Sequence, residues 1–269
     1  MSVGRAPVGF LPAAGRGVRF GASGYAKELF PLLFEGESET LEPRPISELA
    51  LRAIHGAGAK RCVTVVSPDK LEVVRVLGAA HRDMAMAYVV QAEPGGIPQA
   101  LEIARPWLEG EDVVFAMPDT IVFPGDALAR VHAARIADGA DVMLGVFPTN
   151  EPERLAPVVL DDAGNITAIH DKPASPPCKN TWGVAAWSPR FTAFCCAWNQ
   201  KRAATSEGAI GHAFEAARVS GLVVRARAFD DGSFLDVGTP HGLRAALSAL
   251  VTRGVIVADQ ATVAGKASG

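Results

Sequence analysis

Val8-Gly9-Phe10-Leu11-Pro12-Ala13-Ala14-Gly15-Arg16-Gly17-Val18-Arg19-Phe20 is a short apolar run that breaks into small residues and two arginines. Val8 to Pro12 reads as a strand. The small residues after it let the backbone approach a bulky anion, and consecutive N–H groups in such a loop form an anion-binding concavity. Arg19 has the reach for charge-assisted, often bidentate contacts to a triphosphate, and Lys27, in Ala26-Lys27-Glu28-Leu29-Phe30-Pro31, is a second cation close by. The loop lacks the third glycine of the dinucleotide fingerprint and the Gly-Lys-Ser/Thr of a Walker loop.

Outward from this strand, apolar runs recur at 62–66, 86–91, 113–117 and 141–147, with helical patterns at 45–58, 69–80, 97–108 and 126–138 between them. Alternating strands and helices predict a mostly parallel sheet flanked by helices on both faces. Cys62-Val63-Thr64-Val65-Val66 and Asp112-Val113-Val114-Phe115-Ala116-Met117 are apolar almost throughout, as strands buried on both faces are. After Phe147 the texture becomes strand-rich: strands are expected at 157–160, 166–170, 183–187 and 222–229, and helices at 189–199, 207–219 and 240–252. Asp161-Asp162-Ala163-Gly164-Asn165 reads as the turn of a hairpin, and the second half as a strand-rich lobe grown onto the same sheet. The small, polar residues 258–269 read as a flexible tail.

The 269 residues carry a formal net charge of −3 and are 49% hydrophobic, enough for a sizeable core. No basic block is present to neutralise a duplex, so no nucleic-acid partner is expected, and an anionic ligand must be held by local cations, backbone N–H groups or metal. The four cysteines, Cys62, Cys178, Cys195 and Cys196, lack paired metal-ligand spacing, and the adjacent Cys195 and Cys196, in an apolar stretch, read as reduced, buried thiols. There is neither a signal pattern nor an apolar run of bilayer length, so a cytoplasmic location without membrane contact is expected.

Five segments, in order, resemble the sugar-phosphate nucleotidyltransferases, and most nearly the glucose-1-phosphate thymidylyltransferases and uridylyltransferases. The first loop with Lys27-Glu28-Leu29-Phe30-Pro31 is similar to that family's Leu-Ala-Gly-Gly-x-Gly-Thr-Arg-Leu followed by Lys-x-Leu-Leu-Pro, with Pro12, Ala14 and Val18 at variant positions. Gln91-Ala92-Glu93-Pro94-Gly95-Gly96 resembles Gln-x-x-Pro-x-Gly. Phe115-Ala116-Met117-Pro118-Asp119 resembles the strand that ends in Gly-Asp. His170-Asp171-Lys172-Pro173 resembles Val-Glu-Lys-Pro, with Asp171 in place of the glutamate. Phe234-Leu235-Asp236-Val237-Gly238-Thr239-Pro240 resembles Trp-x-Asp-x-Gly-Thr-Pro.

The resemblance implies a Rossmann-like α/β fold of the nucleotide-diphospho-sugar transferase type. One domain over 1–257 would hold a nucleotide-binding half at about 1–147 and a strand-rich, sugar-phosphate-binding half at about 148–257. It implies a transferase that condenses a nucleoside triphosphate with a sugar 1-phosphate, with Mg2+ as cofactor, small-molecule substrates, and a homo-oligomer as a possible assembly. By the same resemblance Ala13, Ala14, Gly15, Gly17, Gln91, Pro94 and Gly96 bind nucleotide, and Asp119 and Asp236 hold the metal. Arg19 and Lys27 act on the triphosphate, while Asp171, Lys172, Trp182 and Gly183 meet the sugar phosphate. A glutamine amide both donates and accepts, which suits thymine or uracil and favours dTTP or UTP; the amide can flip, so the choice depends on something holding it. Read alone, Gln91 is also a polar strand end, Asp119 a cap, and Trp182 core. A cytidylyltransferase for another phosphorylated alcohol or phosphonate, and a non-catalytic sensor on the same fold, are the alternatives.

Overall fold

The computed structural model describes residues 5–15, 26–35, 42–202 and 208–253. Its centre is β1 (Val8–Pro12), whose alternate side chains enter two different cores. Phe10 faces one cluster and Leu11 the other. The same alternation runs through β4 (Arg61–Val66), where Val63 and Val65 oppose Cys62 and Val66, and β7 (Val113–Ala116), where Phe115 opposes Val114 and Ala116. A strand buried on both faces has no polar side to show, which is why these runs look uniformly apolar in sequence.

The remaining elements follow in chain order. A hairpin of β2 (Pro31–Glu35) and β3 (Glu42–Pro45) precedes α1 (Ser47–Gly56) and β4. Then come α2 (Glu72–Leu77), β5 (Ala80–His81), β6 (Met84–Val90), α3 (Gly96–Leu108), β7, β8 (Thr120–Phe123), α4 (Ala127–Asp138) and β9 (Val142–Pro148). The second half adds β10 (Val158–Leu160), β11 (Ile166–Ile169), β12 (Asn180–Trp187), α5 (Pro189–Lys201), α6 (Ile210–Val219), β13 (Val224–Ala228), β14 (Ser233–Asp236) and α7 (Pro240–Thr252). The main sheet has the order β13-β9-β12-β7-β1-β4-β6-β5, and all strands but β5 and β12 run in one direction. The expected α/β fold with a mostly parallel sheet is therefore present, with β9, β12 and β13 in the main sheet, whereas the hairpin of β10 and β11 forms a separate two-stranded sheet rather than joining it.

Several expectations shift. The helix expected at 69–80 shrinks to α2, which stops at Gly78, a residue with φ of 70°. The strand expected from 183 begins at Asn180 and carries a register shift between Trp182 and Val184. Two small ladders were not foreseen. One is β2–β3; the other pairs β8 with β14 and sets Asp236 opposite Thr120. A third core, of Leu32, Ile46, Ile121, Val237, Ala246 and Leu250, packs these ladders against α7. Among the described residues no helix is long and apolar enough to cross a membrane. The tail 258–269 lies outside the described residues.

Candidate active site

Parallel strands deliver their following loops to one edge of the sheet, and there β1, β6 and β7 open onto a cleft of about 650 Å³. Ala14 and Gly15 line it from the end of β1. Ala13 does not: its N–H donates to the Val65 carbonyl at 2.7 Å, continuing the sheet, and its side chain is buried in the core. Gly17 and Arg19 lie outside the described residues.

The Lys27–Leu29 turn of 3-10 helix sends adjacent side chains in opposite directions. Lys27 enters the cleft, while Glu28 is buried and accepts from Lys70 Nζ at 2.7 Å. Burial pushes the Glu28 carboxyl up, against the opposing pull of Lys70. Lys70 also reaches the Ala13 carbonyl at 3.5 Å, tying the end of β1 to this turn. Nothing in the local sequence pairs Lys70 with Glu28, because the contact joins segments 42 positions apart.

The middle of the cleft is acidic. Asp119 follows β7, Asp236 ends β14, and the Val237 N–H donates to the Asp119 carbonyl at 3.1 Å, locking the two segments together. The Gly238 N–H donates to Asp236 Oδ1 at 2.7 Å. A Cβ on Gly238 would lie 2.8 Å from Asp236 Oδ1, 3.1 Å from Asp119 Oδ2 and 3.4 Å from Lys27 Nζ, so three charged groups surround one point that only glycine leaves open. Lys27 donates to Asp119. Burial pulls the Lys27 ammonium down, but Asp119, Glu28 and Asp236 together outweigh it and hold its pKa above the usual lysine value. Thr239 accepts from the Gly242 N–H at 3.0 Å and caps α7.

One wall is built from Gln91, Pro94 and Gly96. Gln91 is 4% exposed, and its N–H continues the sheet by donating to Val66 at 2.8 Å. Gly96 has φ of 81° and meets Gly208: a Cβ there would lie 2.1 Å from the Gly208 carbonyl oxygen. A second part of the lining holds Asp171, Lys172 and Trp182. Lys172 adopts φ of 46°, uncommon for a residue with a side chain, and its N–H donates to Leu155 at 2.8 Å. Asp171 stands 4.0 Å from His212. Trp182 stacks edge-on against Phe214 with ring centroids 5.3 Å apart, yet it also lines the cleft, and its buried Nε1 has no hydrogen-bond partner. The core and the pocket readings of Trp182 thus coexist. Gly183 does not line the cleft: a Cβ there would meet Phe234 at 2.9 Å, Val122 at 3.0 Å and Phe147 at 3.2 Å, so its smallness serves packing. Arg154 and Met117 also line the cleft; Arg154 sits in none of the motifs read from the sequence, and Met117 only within the segment that ends at Asp119.

Asp119 and Asp236 fit a magnesium ion, which proteins usually hold through one or two carboxylates plus substrate phosphates. Among the described residues no group of three His, Cys, Asp or Glu is placed to cage a metal. All four cysteines are free, and Cys62, Cys195 and Cys196 are buried.

Comparison with known proteins gives a family and a fold. A family model described as nucleotidyl transferase matches residues 22–253. A glucose-1-phosphate thymidylyltransferase of Neisseria gonorrhoeae is 28% identical over 170 residues, covering 61% of this chain and 57% of that protein. The chain therefore spans little more than half the length of that relative. A 2-C-methyl-D-erythritol 4-phosphate cytidylyltransferase of Saccharopolyspora erythraea is 29% identical over 175 residues, covering 61% and 68%. The solved structure of a UDP-glucose pyrophosphorylase complexed with UDP-glucose superposes with a TM-score of 0.76 at 15% identity, covering 93% of this chain and all of that one (100%), a likeness of fold.

Proposed function

Because this chain belongs to the nucleotidyl transferase family, we propose that it joins dTTP or UTP to a sugar 1-phosphate and releases pyrophosphate. The observation that carries this reading is the convergence of Lys27, Asp119 and Asp236 about Gly238, in the same cleft as Gln91 and Lys172. In the reaction a phosphate oxygen of the acceptor attacks the α-phosphorus of the triphosphate. A new P–O bond forms, the bond to the β-phosphate bridging oxygen breaks, and pyrophosphate leaves with the electron pair. The acceptor phosphate is already an anion near neutral pH, so no side chain has to remove a proton.

The obstacle is repulsion between two anions, and the chain's task is alignment and charge compensation. Asp119 and Asp236 would hold the magnesium ion, which when bound supplies neutralising charge to phosphate oxygens. Lys27, kept charged by its acidic neighbours, meets the triphosphate near its α-phosphate. Lys172, in the same cleft, binds the acceptor phosphate. Gln91 reads the base and Asp171 accepts from sugar hydroxyls. Transfer from CTP to another phosphorylated alcohol is the second reading, favoured by the Saccharopolyspora relative.

The test is initial pyrophosphate release with magnesium, each of five triphosphates at equal concentration and a panel of phosphorylated acceptors. The proposal expects dTTP or UTP to lead with a sugar 1-phosphate. A lead by CTP with a non-sugar acceptor selects the second reading. Binding without any pyrophosphate overturns both.

A further inference from the structure

Gln91 cannot choose a base unless its amide is held one way round, and the structure contains the group that holds it. The Gln91 Nε2 donates to Gln99 Oε1 at 2.5 Å and to the Gly96 carbonyl at 3.4 Å. A backbone carbonyl only accepts, so the nitrogen end of Gln91 must face Gly96. Gln99, sharing that nitrogen, must then present its oxygen. What Gln91 offers a ligand is Oε1, an acceptor.

We propose that Gln99, which does not line the cleft, is a positioning residue that fixes the orientation of the Gln91 amide and thereby makes the site prefer uracil or thymine to cytosine. This rests on the reading of Gln91 as the residue that meets the base. The N3–H of uracil or thymine donates to a fixed Oε1. Cytosine presents a bare N3 there, and two acceptors face each other with no proton between them.

Gln99 is itself confined. It sits in the first turns of α3, over Gly95, where a Cβ would lie 2.3 Å from its Oε1 and 2.4 Å from its Cδ. Any side chain at 95 would displace the amide. Gln91 is almost fully buried, so water cannot substitute for a lost partner at little cost. With Gln99 unable to accept, only the longer bond to Gly96 remains, and the Gln91 amide is freer to rotate and serve either base.

The experiment compares kcat/KM for UTP or dTTP, whichever the wild type prefers, with that for CTP, in the wild type, Gln99→Leu, Gln99→Glu and Gln91→Ala. Gln99→Leu keeps bulk and removes the acceptor. Its base ratio is expected to fall about tenfold, the scale of one misplaced buried hydrogen bond. The fall should come through KM, with kcat on the preferred nucleotide within a few-fold of wild type. Gln99→Glu keeps an acceptor toward Gln91 and should keep the ratio, an outcome that a purely structural role would not produce. Should Gln99→Leu fail to fold, Gln99→Asn, too short to reach Gln91, takes its place with the same expectation. An unchanged ratio in folded Gln99→Leu or Gln99→Asn, with the ratio lost in Gln91→Ala, overturns this inference and leaves the base-reading role of Gln91 standing. An unchanged ratio in Gln91→Ala removes that role, and the inference with it.

Discussion

The two walls of the cleft differ in how completely their polar atoms are satisfied. On the Gln91 wall the polar groups bond one another: Gln91 to Gln99 and Gly96, and the Gly208 N–H to the Gly95 carbonyl at 3.1 Å. On the Lys172 wall, Trp182 keeps a buried N–H with no partner, Lys172 sits at positive φ, and Asp171 and His212 stand 4.0 Å apart. The first wall is set before any ligand arrives; the second leaves polar groups for a ligand to complete. In the reaction proposed above, such a site would hold the base tightly and the acceptor more loosely.

The largest expected effect falls on neither wall but on the acidic centre that serves both. Asp119→Asn and Asp236→Asn should each lower turnover by about a thousandfold or more while melting temperature stays near wild type, since a lost metal ligand removes several kcal/mol of charge stabilisation. Near-normal rates in either variant at ordinary magnesium would remove the pair from its assigned role.

Next come mirror-image substitutions, one on each wall. Gly96→Ala drives a Cβ into the Gly208 carbonyl at a backbone angle alanine resists, so nucleotide KM should rise tenfold or more while acceptor KM changes little. Lys172→Ala should do the reverse, raising acceptor KM about tenfold with nucleotide affinity by calorimetry intact. If both variants move the same substrate, the two-wall division is wrong.

A subtler contrast comes from Trp182→Phe. It deletes the unpartnered N–H and keeps most of the ring packing on Phe214. The free protein should melt at the same temperature or slightly higher, because a buried donor without a partner costs about 1–3 kcal/mol, and acceptor KM should rise several-fold. A lowered melting temperature with unchanged acceptor KM would make Trp182 core alone.

The smallest effect serves as a control outside both walls. His81, 9% exposed, has its pKa lowered to about 4, chiefly by burial and then by Arg82, His55 and Arg52, with Glu48 3.5 Å from its Nδ1. The unfolded chain takes up this proton near pH 6.5 and the folded protein only near pH 4. The stability it contributes is present above 6.5 and lost as pH falls toward 4. Thermal melts across that window should fall less steeply for His81→Asn than for wild type, with substrate KM values at pH 7.5 unchanged. Equal slopes would contradict the burial argument.

The sheet was legible because its central strands are buried on both faces, and long apolar runs separated by amphipathic helices leave few other arrangements. Gln91, Asp119, Lys172 and Asp236 were legible as polar residues in motifs at or beyond strand ends, and the structure brings all four to one cleft. What the sequence concealed was pairing over distance. The four-residue strands β8 and β14 carry no pattern of their own, and their ladder joins Thr120 to Asp236. Gln99 and Lys70 carry no signal of their own in the sequence, because their partners Gln91 and Glu28 are supplied by folding. Ala13 and Gly183 were drawn into the pocket by position in a motif, although one is committed to the sheet and the other to packing against Phe234.

In the proposed reaction one cleft aligns a triphosphate and a phosphorylated acceptor about Asp119 and Asp236. Phosphorus NMR of the protein with magnesium, dTTP or UTP, and glucose 1-phosphate follows both products at once. The account predicts inorganic pyrophosphate and the coupled resonance pair of a new diphosphate diester, rising in equal amounts and absent with Asp236→Asn. Loss of triphosphate to nucleoside monophosphate without the diester, or equal product from the Asp236→Asn variant, would contradict it.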